Sequence, residues 1–161
     1  MLTSLNRLLG MPVIWQDKRL GSVERAVTDD EGRKLAGLVV RRGIGAARWA
    51  AHEDVALLGP SCVVLRRKPV RMPDVQHREL RCVFLTSGEC AGRVTDVLIS
   101  AESLHLMALE ICQSPLDGLA GRRSYAVRFQ CGGAAEENGV IAAQLLSWAQ
   151  VKQHLKEEDD G

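Results

Sequence analysis

The chain is poor in aromatic residues, with one Tyr, two Phe and three Trp among 161 residues. Its core must be assembled from Val, Leu, Ile and Ala. It has no long apolar run. Nothing approaches the roughly 18 residues of a membrane-spanning helix. Met1 to Gly10 carries only Arg7 as a charge and has no signal-peptide core. A cytoplasmic protein without membrane insertion is therefore expected. The chain also has almost no net charge: 21 Lys and Arg stand against 20 Asp and Glu, giving +1. That balance excludes a uniformly basic nucleic-acid surface. With 46% hydrophobic residues, it also excludes a disordered chain. The five cysteines are odd in number and widely spaced, with no C-x-x-C pair, so no disulfide framework is expected. They read as small apolar residues or isolated thiols.

Reaction motifs are missing too. His52, His77, His105 and His154 lie far apart, and none pairs with a cysteine at metal-ligand spacing. The "HED" at His52–Asp54 reads as a solvated turn. "DDEG" lacks the 12-residue calcium loop and reads as a hairpin turn. "GIGAAR" at Gly43–Arg48 imitates a dinucleotide loop, but it ends on Arg48 and no βαβ context surrounds it. "CGGAAEENG" carries Glu136 and Glu137, which would repel phosphate. No G-x-S-x-G elbow or cysteine-protease motif occurs. The expectation is no catalytic residue, no metal and no cofactor, so not an enzyme. An unrecognised small enzyme stays as the remote alternative.

What is present is a repeat. Shifted by 71 residues, Leu9 falls on Leu80, Val13 on Phe84 and Ile14 on Leu85. Gly21 falls on Gly92, Val23 on Val94, Ala26 on Val97 and Val27 on Leu98. Further on, Ala36, Leu38 and Val40 meet Met107, Leu109 and Ile111. These last triplets alternate with period two, as strands do. Leu35 and Val39 add a second apolar set, which predicts burial on both faces. The apolar phase shifts near Arg25–Ala26 and Asp96–Val97, the mark of a bulge. "DDEGR" predicts a hairpin, with an Asx-type turn at Asp29 or Asp30 and positive φ at Gly32. "SAESL" lacks the glycine and predicts a longer turn or one of another type. Beyond Val140, Ala142, Leu145, Trp148 or Ala149, and Leu155 recur at helical spacing.

The small net charge conceals an asymmetry. Residues 1–65 are net +2, residues 66–81 net +4 and residues 82–161 net −5. The middle stretch holds Pro69 and Pro73 and reads as a linker, because proline breaks a central strand or helix. Its Arg66, Arg67, Lys68, Arg71, Arg78 and Arg81 form the candidate surface for an anionic partner. Arg41, Arg42, Arg122 and Arg123 would extend it only if the fold joined their loops. No aromatic residue interleaves, and stacking platforms are what RNA binding usually adds. Trp15, Trp49 and Trp148 read mainly as packing residues.

The run "LLGMPVIWQDKRLGSVERAVTDDEGRKLAGLVV" resembles the opening of a PRC-barrel domain. That family is named after the cytoplasmic domain of the photosynthetic reaction-centre H subunit. The matching positions are Gly10, Val13, Ile14, Gly21, Val23, Asp29, Gly32 and Gly37 to Val39, and "ARWAAHEDVALLGPSCVVL" resembles the closing half. The second copy has Arg81 where the first has Gly10, and Ser103 where it has Gly32. The family includes the H-subunit domain, the C-terminal domain of a ribosome maturation factor and many small bacterial proteins. The resemblance implies a compact antiparallel barrel that binds other proteins or ribonucleoprotein, and it carries no catalytic residues.

The expected architecture is mainly β: two small antiparallel PRC-barrel-like units with a C-terminal α-helix. Residues 1–65 form the first unit, 66–77 a basic linker and 78–142 the divergent second unit. Residues 143–156 form the helix and 157–161 an acidic tail. Units of about 65 residues are marginal alone, so they are expected to pack together, with Trp148 or its helix in the seam. The expected function is a non-catalytic protein-binding or scaffold module. RNA or ribonucleoprotein is the alternative partner, and exposed sheet edges leave a homo-oligomer open.

Overall fold

The computed structural model describes residues 1–74, 79–131 and 139–161. The chain is mainly β, with two strongly curled mixed sheets and a C-terminal helix. It divides into two compact units, Met1–Arg78 with Ile99–Leu106, and Glu79–Leu98 with Met107–Gly161.

The first unit opens with strand β1 (Leu2–Ser4) and the short helix α1 (Leu5–Leu8). Then come β2 (Pro12–Trp15), β3 (Lys18–Thr28), β4 (Leu35–Arg41), β5 (Arg48–Ala51), β6 (Val55–Leu58), β7 (Val63–Leu65) and β8 (Val70–Arg71). The sheet order is β6-β7-β2-β3-β4-β5-β8. All pairs are antiparallel except β2 with β7, which is parallel. Val13, Val23, Leu35, Leu38, Val40 and Val63 are almost fully buried and make an aliphatic core. Strand β4 is buried on both faces, as its double apolar set predicts. On its second face Val39 packs with Val27 and Trp49. The register of β3 against β4 slips between Val23 and Arg25 and again between Val27 and Thr28. Those bulges account for the change of apolar phase and bend the strand. Val70–Arg71, between Pro69 and Pro73, is a short strand at the sheet edge, where neighbouring prolines cost no ladder hydrogen bond.

The second sheet comprises β9 (Cys82–Leu85), β10 (Cys90–Ser100), β11 (Leu106–Cys112), β12 (Ser124–Ala126), β13 (Phe129–Cys131) and β14 (Gly139–Ala142). Its order is β12-β11-β10-β9-β14-β13, and β1 pairs with β10 beside that path. Here β14 runs parallel to β9. Helix α2 (Pro115–Leu119) opens on a Ser114–Asp117 capping box, and α3 (Trp148–Asp159) on a Ser147–Gln150 box. Each box satisfies backbone N–H groups that a helix start leaves unpaired. Val151 of α3 packs with Ala108 and Tyr125, and the Trp148 and Tyr125 rings lie 5.3 Å apart. Trp148 nevertheless stays 40% exposed.

The 71-residue repeat is visible in the strands. β4 and β11 correspond end to end, and Gly21 and Gly92 sit at matching places in β3 and β10. Their φ angles are +147° and +140°. A Cβ at Gly21 would lie 2.5 Å from the Arg41 carbonyl oxygen, and one at Gly92 2.5 Å from that of Cys112. Arg41 and Cys112 are themselves 71 apart, so both repeats kink against the same backbone point.

One strand departs from the offset. Val13 pairs with Gly21, but Gly92 pairs with Val83 rather than Phe84. The cause is turn length. Gln16 and Asp17, both at positive φ, make a two-residue turn between β2 and β3. Thr86–Gly88 makes a three-residue turn closed by Leu85 N–H donating to Glu89 O at 2.9 Å, with Gly88 at φ +91°.

The next turns keep their length and change chemistry. Asp29 Oδ1 accepts from Arg33 N–H at 2.8 Å, and Gly32 has φ +67°. In the second copy Ser100 Oγ accepts from Ser103 N–H at 3.2 Å, and Leu104 takes the positive φ, +63°. Both turns belong to the first unit and exchange hydrogen bonds. Leu35 N–H donates to Leu104 O at 2.9 Å, and Leu106 N–H to Arg33 O at 2.8 Å. The 71-residue offset converts one of these bonds into the other. Met1 adds an ammonium–carboxylate pair to Glu102 at 2.8 Å.

Candidate anion-binding site

The cations of the basic segment fall into two groups. Arg66 Nη1 donates to the carbonyls of Glu53 and Val55, at 3.1 and 2.6 Å, and so braces the turn before β6. Arg67 faces Asp54 at 3.7 Å, and Arg81 pairs with Glu79. These side chains are occupied with local structure. Arg78 lies outside the described residues, as do His77, Glu136 and Glu137. Lys68 and Arg71 differ: among the described residues no carboxylate pairs with either.

Two arginines from other elements join them. Arg48 on β5 stands directly across from Arg71 on β8, and Val40 on β4 stands across from Arg48 on its other side. Like charges directly opposite on a sheet repel, at a cost of roughly 0.2–1 kcal/mol. Arg42 ends β4's exit and opens the glycine loop, where Gly45 N–H donates to Arg42 O at 3.0 Å. The same loop is held from the other side by Arg41, whose Nη1 donates to Gly45 O at 2.8 Å while its Nε binds Glu24 at 2.8 Å. Arg41 is therefore neutralised, whereas Arg42 has no carboxylate partner among the described residues.

Arg42, Arg48 and Lys68 border one open cavity of about 580 Å³, whose other walls include Leu20, Val40, Ala46 and Pro69. The volume lies in the range of small-molecule sites. Among the described residues no carboxylate lines it, so its rim carries positive charge. The loop that the sequence excludes as a nucleotide motif thus contributes the arginines at its ends together with Gly45 and Ala46.

In the second unit Arg93, Arg128, Lys152 and Lys156 have no carboxylate partner among the described residues, but two adjacent arginines do. Arg122 faces Asp117 at 3.9 Å, and Arg123 faces Glu110 at 3.6 Å. Glu110 also accepts from Thr95 Oγ1 at 2.8 Å and from the Tyr125 hydroxyl at 3.4 Å. Burial, and then the nearby Glu110 charge, push the Tyr125 hydroxyl above its ordinary pKa. This network is internally satisfied.

Among the described residues no group of three His, Cys, Asp or Glu is placed to hold a metal ion. His52 pairs with its neighbour Glu53 at 3.0 Å within a single helical turn. Of the cysteines, Cys112 is buried, Cys90 is exposed, and Cys62, Cys82 and Cys131 lie between. Among the described residues no helix is long and apolar enough to cross a membrane. No protein-family model matches the chain, and no curated protein matches it.

Sequence reasoning missed Arg48 and underweighted Arg42. The strand "RWAA" shows Arg48 alternating with a buried Trp49, which marks it as outward-facing. Its partner Arg71 is invisible without the β5–β8 pairing. The Glu110 network was missed as well, because Thr95, Arg123 and Tyr125 are all distant from Glu110 in sequence.

Proposed function

We propose that the chain is a non-catalytic, PRC-barrel-like binding module whose first unit docks an acidic segment of a protein partner. One observation carries this reading. Among the described residues, Arg42, Arg48, Lys68 and Arg71 gather toward the β5–β8 side of the first sheet with no carboxylate partner, while nearby Arg41, Arg66 and Arg67 each have a partner. Surface cations are ordinarily interspersed with acids, and an uncompensated cluster is suited to meet an anionic surface.

RNA or ribonucleoprotein is the second reading, since phosphates would meet the same cations. It has less support, because the described walls of the cavity include no aromatic side chain on which a base could stack.

The test is affinity capture with the wild type and an Arg48→Glu/Lys68→Glu double variant, with and without nuclease. The proposal predicts a protein partner that survives nuclease and is lost on charge reversal. Loss on nuclease treatment would favour the RNA reading. Equal capture by both forms would contradict docking at this edge.

A further inference from the structure

We propose that the cavity bordered by Arg42, Arg48 and Lys68 is a binding site for a small amphiphilic anion: an organic carboxylate or phosphate ester with an aliphatic body. The inference goes beyond partner docking because it rests on the cavity's apolar walls, which that reading does not use. Charge alone would attract any anion to the rim. The walls select among anions.

The two kinds of residue are arranged for this. Leu20 on β3 is half-buried and presents its side chain to the cavity, while Val40 on the neighbouring β4 is only 2% exposed and forms its floor. Pro69 and Ala46 close the sides. The cations come from three separate places: the end of β4, the start of β5 and the segment before β8. A ligand with its chain on Leu20, Ala46 and Pro69 would therefore meet positive charge around its head. At about 580 Å³ the cavity is far larger than an inorganic ion requires. An inorganic ion would leave the apolar walls wet. An aliphatic chain would cover them, strengthening binding about four-fold for each methylene buried. A cationic amphiphile of the same shape would be repelled at the rim.

The test is calorimetric titration of the full chain, with amide chemical-shift mapping, against four probes: hexyl phosphate, hexanoate, inorganic phosphate and hexyltrimethylammonium. The expected result is binding of hexyl phosphate or hexanoate at least about tenfold tighter than inorganic phosphate. The shifts should centre on Leu20, Arg42 to Arg48 and Lys68, and hexyltrimethylammonium should give none there. The tighter of the two heads identifies the ligand as a phosphate ester or a carboxylic acid. Lys68→Gln and Arg48→Gln, both on exposed side chains, should each weaken the anions several-fold and leave the fold intact. Leu20→Thr should erase most of the preference for hexyl phosphate over inorganic phosphate.

Equal affinity for inorganic and hexyl phosphate would overturn the inference, as would binding of the cationic amphiphile at the same place or no binding by either anionic amphiphile. If the amphiphiles fail while an acidic peptide still binds at Arg48 and Lys68, the small-ligand site is wrong and the partner reading stands. If the amphiphiles bind and the acidic peptide does not, the reverse holds.

Discussion

The two strand frames β2–β3–β4 and β9–β10–β11 share a kink and differ in charge. Both bend at a glycine packed against a carbonyl of the third strand, Gly21 on Arg41 and Gly92 on Cys112. Both add a parallel strand beside the first one, β7 on β2 and β14 on β9. The first unit gathers unpartnered cations at the β5–β8 edge. The second ties Arg122 and Arg123 to Asp117 and Glu110. The shared positions hold the fold. The chemistry available to a ligand sits in the unshared ones.

The comparison is broken most forcefully at the glycines. Gly21→Ala and Gly92→Ala should each destabilise the chain by about 3 kcal/mol or more, since each Cβ meets backbone and the φ is unfavourable. Denaturant unfolding measures both. A well-tolerated alanine at one site would show that the two kinks are not equivalent. Next come the buried valines. Val13→Ala and Val83→Ala remove the same fully buried side chain, so losses of about 2 kcal/mol at both are expected. A large loss at Val13 with none at Val83 would undo the corrected alignment of β2 with β9.

Charge gives the third contrast, and its sign matters. Arg48→Gln removes repulsion from Arg71 and should leave stability unchanged or raised by up to about 1 kcal/mol. Glu110→Gln should lower it by about 1–2 kcal/mol, because it weakens bonds from Thr95, Tyr125 and Arg123. Losses of equal size would remove the electrostatic distinction between the units. The smallest effect is pH-dependent and belongs to the second unit. The Tyr125 hydroxyl titrates above its ordinary value, so the folded state holds its proton where the unfolded chain begins to lose it. That contribution is full below about pH 10 and is lost as pH rises through the folded-state value. Tyr125 is the only tyrosine of the chain, so tyrosinate absorbance reads it directly. An ordinary or lowered titration point would contradict the buried Tyr125–Glu110 arrangement.

Much of the frame was legible in the sequence. Period-two alternation, the paired glycines and the Asp29–Gly32 turn are local signals, and local hydrogen bonding enforces them. The one-residue slip at β9 was not legible, because aligning apolar residues alone matches Val13 to Phe84 as readily as to Val83. Only the turn geometry at Gly88 decides it. The parallel pairs β2–β7 and β9–β14 join distant segments, and no local pattern announces them. For α3, the helical spacing that starts at Ala142 runs through the end of β14 and a Tyr125–Leu146 bridge before Ser147 caps the helix. The candidate site was half legible. The basic segment drew attention to Lys68 and Arg71, while Arg42 and Arg48 reach the same edge only through the pairing of β4, β5 and β8. Which cations are spent on local bonds, as Arg66 is, follows from backbone carbonyl positions that a sequence does not display.

The central claim is that the unpaired cations of the first unit, and not the paired ones of the second, receive an anionic partner. The most direct measurement is amide chemical-shift mapping of the full chain titrated with a short glutamate-rich peptide at low and moderate salt. The account predicts saturable shifts at Arg42 to Arg48 and Lys68 to Arg71 that weaken as salt is added, with Arg122 and Arg123 unmoved. Shifts centred on Arg122 and Arg123, or none at the β5–β8 edge at low salt, would contradict it.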